Sequence, residues 1–181
     1  MLVSSRRKAL IYSPLLLTLF VLNACISPGQ PPAPPLPPLE KTIPFTSADA
    51  DFLQKLNDMD LTQIALANIA RTHSARNDIA LLSATIVKEL TENKDTLTQL
   101  ATAHTLTLPT QPSTQSQKII NHMKHLRGLA FDRSYTRYFM SSTTKMKSVL
   151  DAQITTSKNT DLIKLSNDTQ AKLTAYQAQI K

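Results

Sequence analysis

Glycine is almost missing from this chain of 181 residues; only Gly29 and Gly128 occur. Tight two-residue hairpins draw on glycine for their positive φ angles, so such turns are hardly available to this chain. Neither a Gly-rich phosphate loop nor a Gly-x-Ser-x-Gly nucleophile elbow can be written with these two residues. Tryptophan is absent, and Cys25 is the single cysteine, so no disulfide can form within the chain. Glutamate is confined to Glu40, Glu89 and Glu92, and no histidine has an acidic residue three positions before it. A di-iron carboxylate bundle takes a Glu from each of two helices and Glu-x-x-His from each of two others, a set this composition does not supply. A spanning helix needs about 20 predominantly apolar residues, and the longest apolar stretch, Leu10 to Leu22, is shorter and contains Pro14.

That stretch has a different use. Arg6, Arg7 and Lys8 precede it as a cationic region, and together they read as a secretory leader over residues 1–24. It closes on Leu22-Asn23-Ala24-Cys25, which resembles a bacterial lipobox. The resemblance implies cleavage before Cys25, a diacylglyceryl group on its thiol and acylation of the new amino terminus. Each buried methylene contributes roughly 0.8 kcal/mol and stable anchoring takes two signals, so a multiply acylated Cys25 would be a lasting membrane anchor. Ile26 follows the cysteine. In Gram-negative lipoproteins Asp at that place is the usual inner-membrane retention signal, so the resemblance points to the outer membrane, with the domain facing the periplasm.

Residues 25–45 form a distinct segment, with eight prolines between Pro28 and Pro44. Such a tract favours polyproline II at about 3.1 Å per residue, enough for a stalk of roughly 50 Å. A PxxP ligand for a partner domain is the other reading; the position between a lipid anchor and a folded domain favours a tether.

Residues 46–181 have the length of one domain with a modest core, and the recurrence of apolar residues at three- and four-residue steps predicts an all-α fold. Thr46 or Ser47 can cap a first helix reaching about Thr72, with Phe52, Leu56, Met59, Ile64 and Ala67 inward. Ser74 can cap a second, carrying Ile79, Leu82, Ile86, Leu90, Leu97 and Leu100 to near His104. After Pro109 and Pro112, Ser113 or Thr114 opens a short helix with Ile119, Ile120, Met123 and Leu126, for which Gly128 is the expected stop. A fourth helix carries Phe131, Tyr135, Phe139, Met146, Val149 and Ile154, its aromatic residues expected in the core. Thr160 can cap a fifth with Leu162, Leu165, Leu173, Tyr176 and Ile180. Four long helices and one short connecting helix predict a four-helix bundle.

The order of these segments, with Leu61-Thr62-Gln63-Ile64-Ala65-Leu66-Ala67-Asn68-Ile69-Ala70 closing the first helix and Phe131-Asp132-Arg133-Ser134-Tyr135 opening the fourth, resembles the domain-of-unknown-function 4142 family of exported bacterial proteins. The Phe-Asp-Arg-x-Tyr element is the most specific part. The resemblance implies a ferritin-like bundle in the cell envelope and transfers no reaction. Members commonly carry an acidic residue followed by His in the middle of two long helices; here those places read Ile86-Val87-Lys88-Glu89-Leu90 and Met140-Ser141-Ser142-Thr143-Thr144, without histidine. The family's frequent Glu on the first helix falls at Gln63 or Ala65.

Other constellations point to no chemistry. His122 and His125, at i and i+3, have Lys118, Lys124 and Arg127 around them and no nearby carboxylate, which describes a solvated face better than a metal site. His73 and His104 fall near helix ends. The net charge of +7 includes Arg6, Arg7 and Lys8, whose loss leaves about +4. The basic residues from Lys118 to Arg137, with Lys145 and Lys147, read as a solvated face or as a contact for anionic headgroups or acidic cell-wall polymers. No nucleic-acid reader motif is present, and none is expected of a periplasmic protein. The expectation is a non-enzymatic outer-membrane lipoprotein that presents a helical bundle to an envelope or cell-wall partner, with no catalytic, cofactor or metal residues and Cys25 as the lipidation site. The alternatives are a ferritin-like metal-binding or redox envelope protein and an accessory lipoprotein of a secretion or cell-wall machine.

Overall fold

The computed structural model describes residues 45–180; the predicted leader, Cys25 and nearly all of the proline segment lie outside them. Five helices and no strands occur among the described residues: α1 (Ser47–His73), α2 (Asn77–Ala103), α3 (Thr114–Lys124), α4 (Gly128–Thr156) and α5 (Thr160–Gln179). The expected all-α bundle is what the chain forms.

Helix α1 pairs with α2, and α4 with α5, as two hairpins consecutive in sequence; α1 also packs on α4 and α2 on α5. The bonds Asp49 to Gln153 and Gln63 to Ser142 make α1 and α4 antiparallel. With both hairpins antiparallel, α2 and α4 run in the same direction across the bundle diagonal. The chain must therefore travel the bundle's length between them, the single long crossover of ferritin-like folds. The first part of that journey is covered by the segment between α2 and α3, and the rest, beside α1, by helix α3. It starts where Asp58 accepts hydrogen bonds from the Ser113 N–H and from the Ser113 and Ser116 hydroxyls. It ends where the His73 ring meets the Lys124 carbonyl. Below it, the Asn57 amide donates to the Pro109 carbonyl at 2.8 Å.

The helix ends explain the boundaries. Thr46 and Asp49 form a reciprocal capping box on α1, and the Ser113 hydroxyl caps α3 by accepting from the Ser116 N–H. Three expected end signals act elsewhere. Ser74 does not cap α2: its hydroxyl bridges the Arg76 backbone and the Asp132 carboxylate, because α4 places an acceptor against the α1–α2 turn. Gly128 does not stop α3, which ends at Lys124; at φ +58° it turns the chain into the start of α4, where L side chains are strained. Asn159, one residue before Thr160, caps α5 by accepting from the Asp161 and Leu162 N–H groups.

The core runs along the bundle axis and contains Phe131, Tyr135 and Phe139 at zero exposure, as expected of the aromatic stripe. The expected inward residues of α1 and α2 are buried except Ile64 and Leu100, which sit at the edge of the core. On α1 the inward line is Asp49, Leu53, Leu56, Asp60, Gln63, Ala67 and Ala70, a regular alternation of four and three, and Ile64 is only half-buried beside it. On α2, Ala101 is buried and Leu100 only in part.

Candidate functional site

Polar residues interrupt the core midway along the bundle. Asp60 and Gln63 of α1, Asn93 of α2, Thr143 of α4 and Thr169 of α5 are all buried. The Thr169 hydroxyl donates to Asn93 Oδ1 at 3.1 Å, and Asn93 Nδ2 donates to Asp60 Oδ2 at 2.7 Å. One turn away, Gln63 Nε2 donates to Ser142 Oγ at 2.8 Å, while Gln177 Nε2 donates to Thr143 Oγ1 at 2.6 Å. Ser142, Thr143 and Thr144 return their own hydroxyl protons to the Phe139 and Met140 carbonyls, so these three weak helix formers are held by local and cross-helix bonds.

Two acceptors in this layer have no donor: Asp60 Oδ1 and Gln63 Oε1. They belong to side chains three residues apart on one helix, which lie on the same face. Burial pushes the Asp60 carboxyl up to about 7, against the opposing pull of the Asn93 hydrogen bond and of Lys172 and Lys94. A protonated Asp60 turns Oδ1 into a donor, and Gln63 Oε1 is the free acceptor one turn on. Hydrogen bonds thus join α5 to α2 and α2 to α1 through Thr169, Asn93 and Asp60, and α1 to α4 through Gln63 and Ser142.

At the edge of this layer Glu89 Oε2 accepts from the Tyr176 hydroxyl at 2.5 Å, and burial followed by the Glu89 hydrogen bond raises that phenol. Glu89, in the stretch Ile86 to Leu90, is therefore a hydrogen-bond acceptor for α5. Gln63, which with Ala65 is one of the two places where the resemblance puts a frequent Glu, donates to Ser142 of α4.

The donors present do not fit the di-iron centre of ferritin-like bundles. The central groups are amides and hydroxyls around one carboxylate, and no group of three or more His, Cys, Asp or Glu side chains occurs among the described residues. His122 and His125 are exposed on and after α3. His73 closes α1 with its ring edge toward Phe131, at 5.7 Å between centroids, and His104 follows α2, stacked on Phe45 at 4.2 Å.

The Phe-Asp-Arg-x-Tyr element has an assignable role in the fold. Phe131 and Tyr135 stack at 5.4 Å in the core, and burial pushes the Tyr135 phenol up to about 12. Between them, buried Asp132 accepts from the Ser74 hydroxyl and, at 3.2 Å, from the Ala75 N–H, so it ties the α1–α2 turn to α4. Arg133 points outward, beside a cavity of about 390 Å³ that Arg76, Leu129 and Arg137 also line. A second, open groove of about 450 Å³ lies between α1 and α4 near the start of α3, with Met59, Tyr138, Met146 and Val149 in its wall and Lys55, Asp51 and Lys145 among its polar residues.

Asp60 and Asn93 escape a reading that follows apolar residues alone. The signal lies in the spacing: continuing the four-and-three alternation through Leu53 and Leu56 lands on Asp60, and continuing it from Ile86 and Leu90 lands on Asn93. Across residues 35–181 the chain matches the family described as Domain of unknown function (DUF4142). No curated protein and no solved structure matches it.

Proposed function

The chain belongs to the DUF4142 family, and from that premise we propose that it is a non-enzymatic lipoprotein of the outer membrane, whose helical bundle is held in the periplasm for contact with other envelope components. One observation carries this reading: the order of a basic and apolar leader, Leu22-Asn23-Ala24-Cys25, a proline tract and then a domain. The fold agrees with a role in positioning. Its core closes within residues 45–180, its central polar side chains bond mainly to one another, and its most family-specific carboxylate, Asp132, is spent on fastening a turn.

The anchor is tested by growing cells with labelled palmitate and comparing the natural chain with Cys25→Ser. The label and sedimentation with outer membranes should both be lost in the variant. Retention of Cys25→Ser on membranes after a high-salt wash would refute lipid anchoring. Crosslinking in intact cells then separates a general envelope contact from an accessory lipoprotein of one machine, since the latter requires a single dominant partner.

A further inference from the structure

The end of the bundle formed by the α1–α2 turn and the start of α4 combines positive charge with exposed apolar surface. Arg71, Lys124, Arg127, Arg133 and Arg137 are exposed there, contributed by α1, α3, the α3–α4 connection and α4. The contacts already described bring these segments together: His73 reaches Lys124, and Asp132 holds Ser74 and Ala75. The acidic groups nearby are already engaged. Asp132 is 4% exposed and occupied by the turn, and Asp78 pairs with Arg76. Among the described residues the only other ion pair is Lys164 with Asp168 on α5, so Arg133 and Arg137 have no carboxylate partner.

These two arginines stand at i and i+4 on α4, one turn apart on the same face. Leu129, in the first turn of that helix, is 63% exposed and shares the cavity of about 390 Å³ with them. The hydroxyl of Thr136, in the same wall, has no hydrogen-bond partner. On α2, Leu81 is 65% exposed one turn beyond Arg76 and Asp78. A side chain of this size left in water beside unpaired guanidinium groups suits a surface that is anionic outside and apolar beneath. A soluble acidic polymer would satisfy the arginines and leave the leucines where they were.

We propose that this end of the bundle docks onto an anionic phospholipid surface, with Arg133 and Arg137 at the headgroup phosphates and Leu129 entering the boundary with the acyl chains. Phe45, where the described chain begins, lies at the opposite end of α1, about 40 Å away at 1.5 Å per residue. The proposal names the partner of the bundle within the envelope function given above and rests on that reading. Its test leaves the anchor out.

The unacylated chain from Ile26 to Lys181 is mixed with vesicles of phosphatidylcholine alone or with added phosphatidylglycerol, and the bound fraction is measured by sedimentation. Binding should require phosphatidylglycerol and weaken as salt is raised. The exposed pair Arg133→Gln and Arg137→Gln should lose roughly tenfold or more in affinity with unchanged helicity, each charge near such a surface contributing severalfold. Leu129→Asn, which keeps every charge, should also weaken binding. Equal binding to neutral vesicles, full affinity in the double arginine variant, or full affinity in Leu129→Asn would each overturn the proposal. Capture by soluble polyglutamate without binding to vesicles would overturn it in favour of an acidic polymer. Because no acyl group is present, each result is independent of the fate of Cys25→Ser.

Discussion

Asp60 is the residue at which burial and charge are most opposed. Its carboxyl titrates near 7 in the folded chain and near 3.8 when unfolded, so between these values the folded state holds a proton that the unfolded state has released. The contribution of Asp60 to stability is complete below about pH 4, falls as pH rises toward 7 and is absent above it. A shift of this size corresponds to something on the order of 4 kcal/mol. Asp60→Asn keeps an acceptor for Asn93 and removes the titrating group. Urea unfolding at pH 4.5, 6 and 8 should show stability declining with pH in the natural chain and a flatter profile in the variant; parallel profiles would exclude Asp60 as the source. Thr105 is a second strained residue. It adopts φ +60° just after α2, where the Leu106 N–H donates to the Ala101 carbonyl and the Thr105 N–H to the Thr102 carbonyl. This is the Schellman arrangement, whose left-handed position favours glycine. Thr105 is exposed, so Thr105→Gly should raise stability by roughly 0.5 to 1 kcal/mol, a gain of a few degrees in thermal midpoint.

At the scale of helices, the sequence is most informative where a signal is local. The caps of α1 and α3 and the aromatic stripe of α4 follow from neighbouring residues: the structure selects Thr46 and Ser113, each one of two adjacent candidates, and buries the stripe as read. Ser74 and Gly128 also carry correct local chemistry, a side-chain acceptor and a permissive φ. What they serve is decided by residues distant in sequence: Asp132 recruits Ser74, and the direction in which α4 must leave α3 recruits Gly128. The polar layer was legible in register alone. Asn93 and Asp60 continue their helices' inward lines, but their pairing requires knowing that α1 and α2 meet there. Thr169 and Thr143 resemble the many other threonines of the chain, among them Thr91, Thr98 and Thr155, whose hydroxyls bond their own helices on exposed faces. Nothing local separates the two groups.

For the whole molecule, the crossover decides how the parts depend on one another. Each hairpin is continuous in sequence, and the segment between them, around Thr110 and Gln111, is exposed and free of helix. Its firm attachments lie on either side, Pro109 to Asn57 and Ser113 to Asp58. A single peptide break at Gln111 therefore severs the chain without removing a buried contact. Co-expressed pieces covering 45–110 and 112–181 should copurify and regain the helicity of the intact domain, whereas neither should hold it alone, because each hairpin leaves half of the polar layer unmatched. Failure of the mixed pieces to associate would mean that the covalent link supplies more than proximity. The route that a ferritin-like chain takes between its second and third long helices thus gives this protein a natural seam, at which two half-proteins, each lacking the other's side of the core, could be made to report on their own reunion.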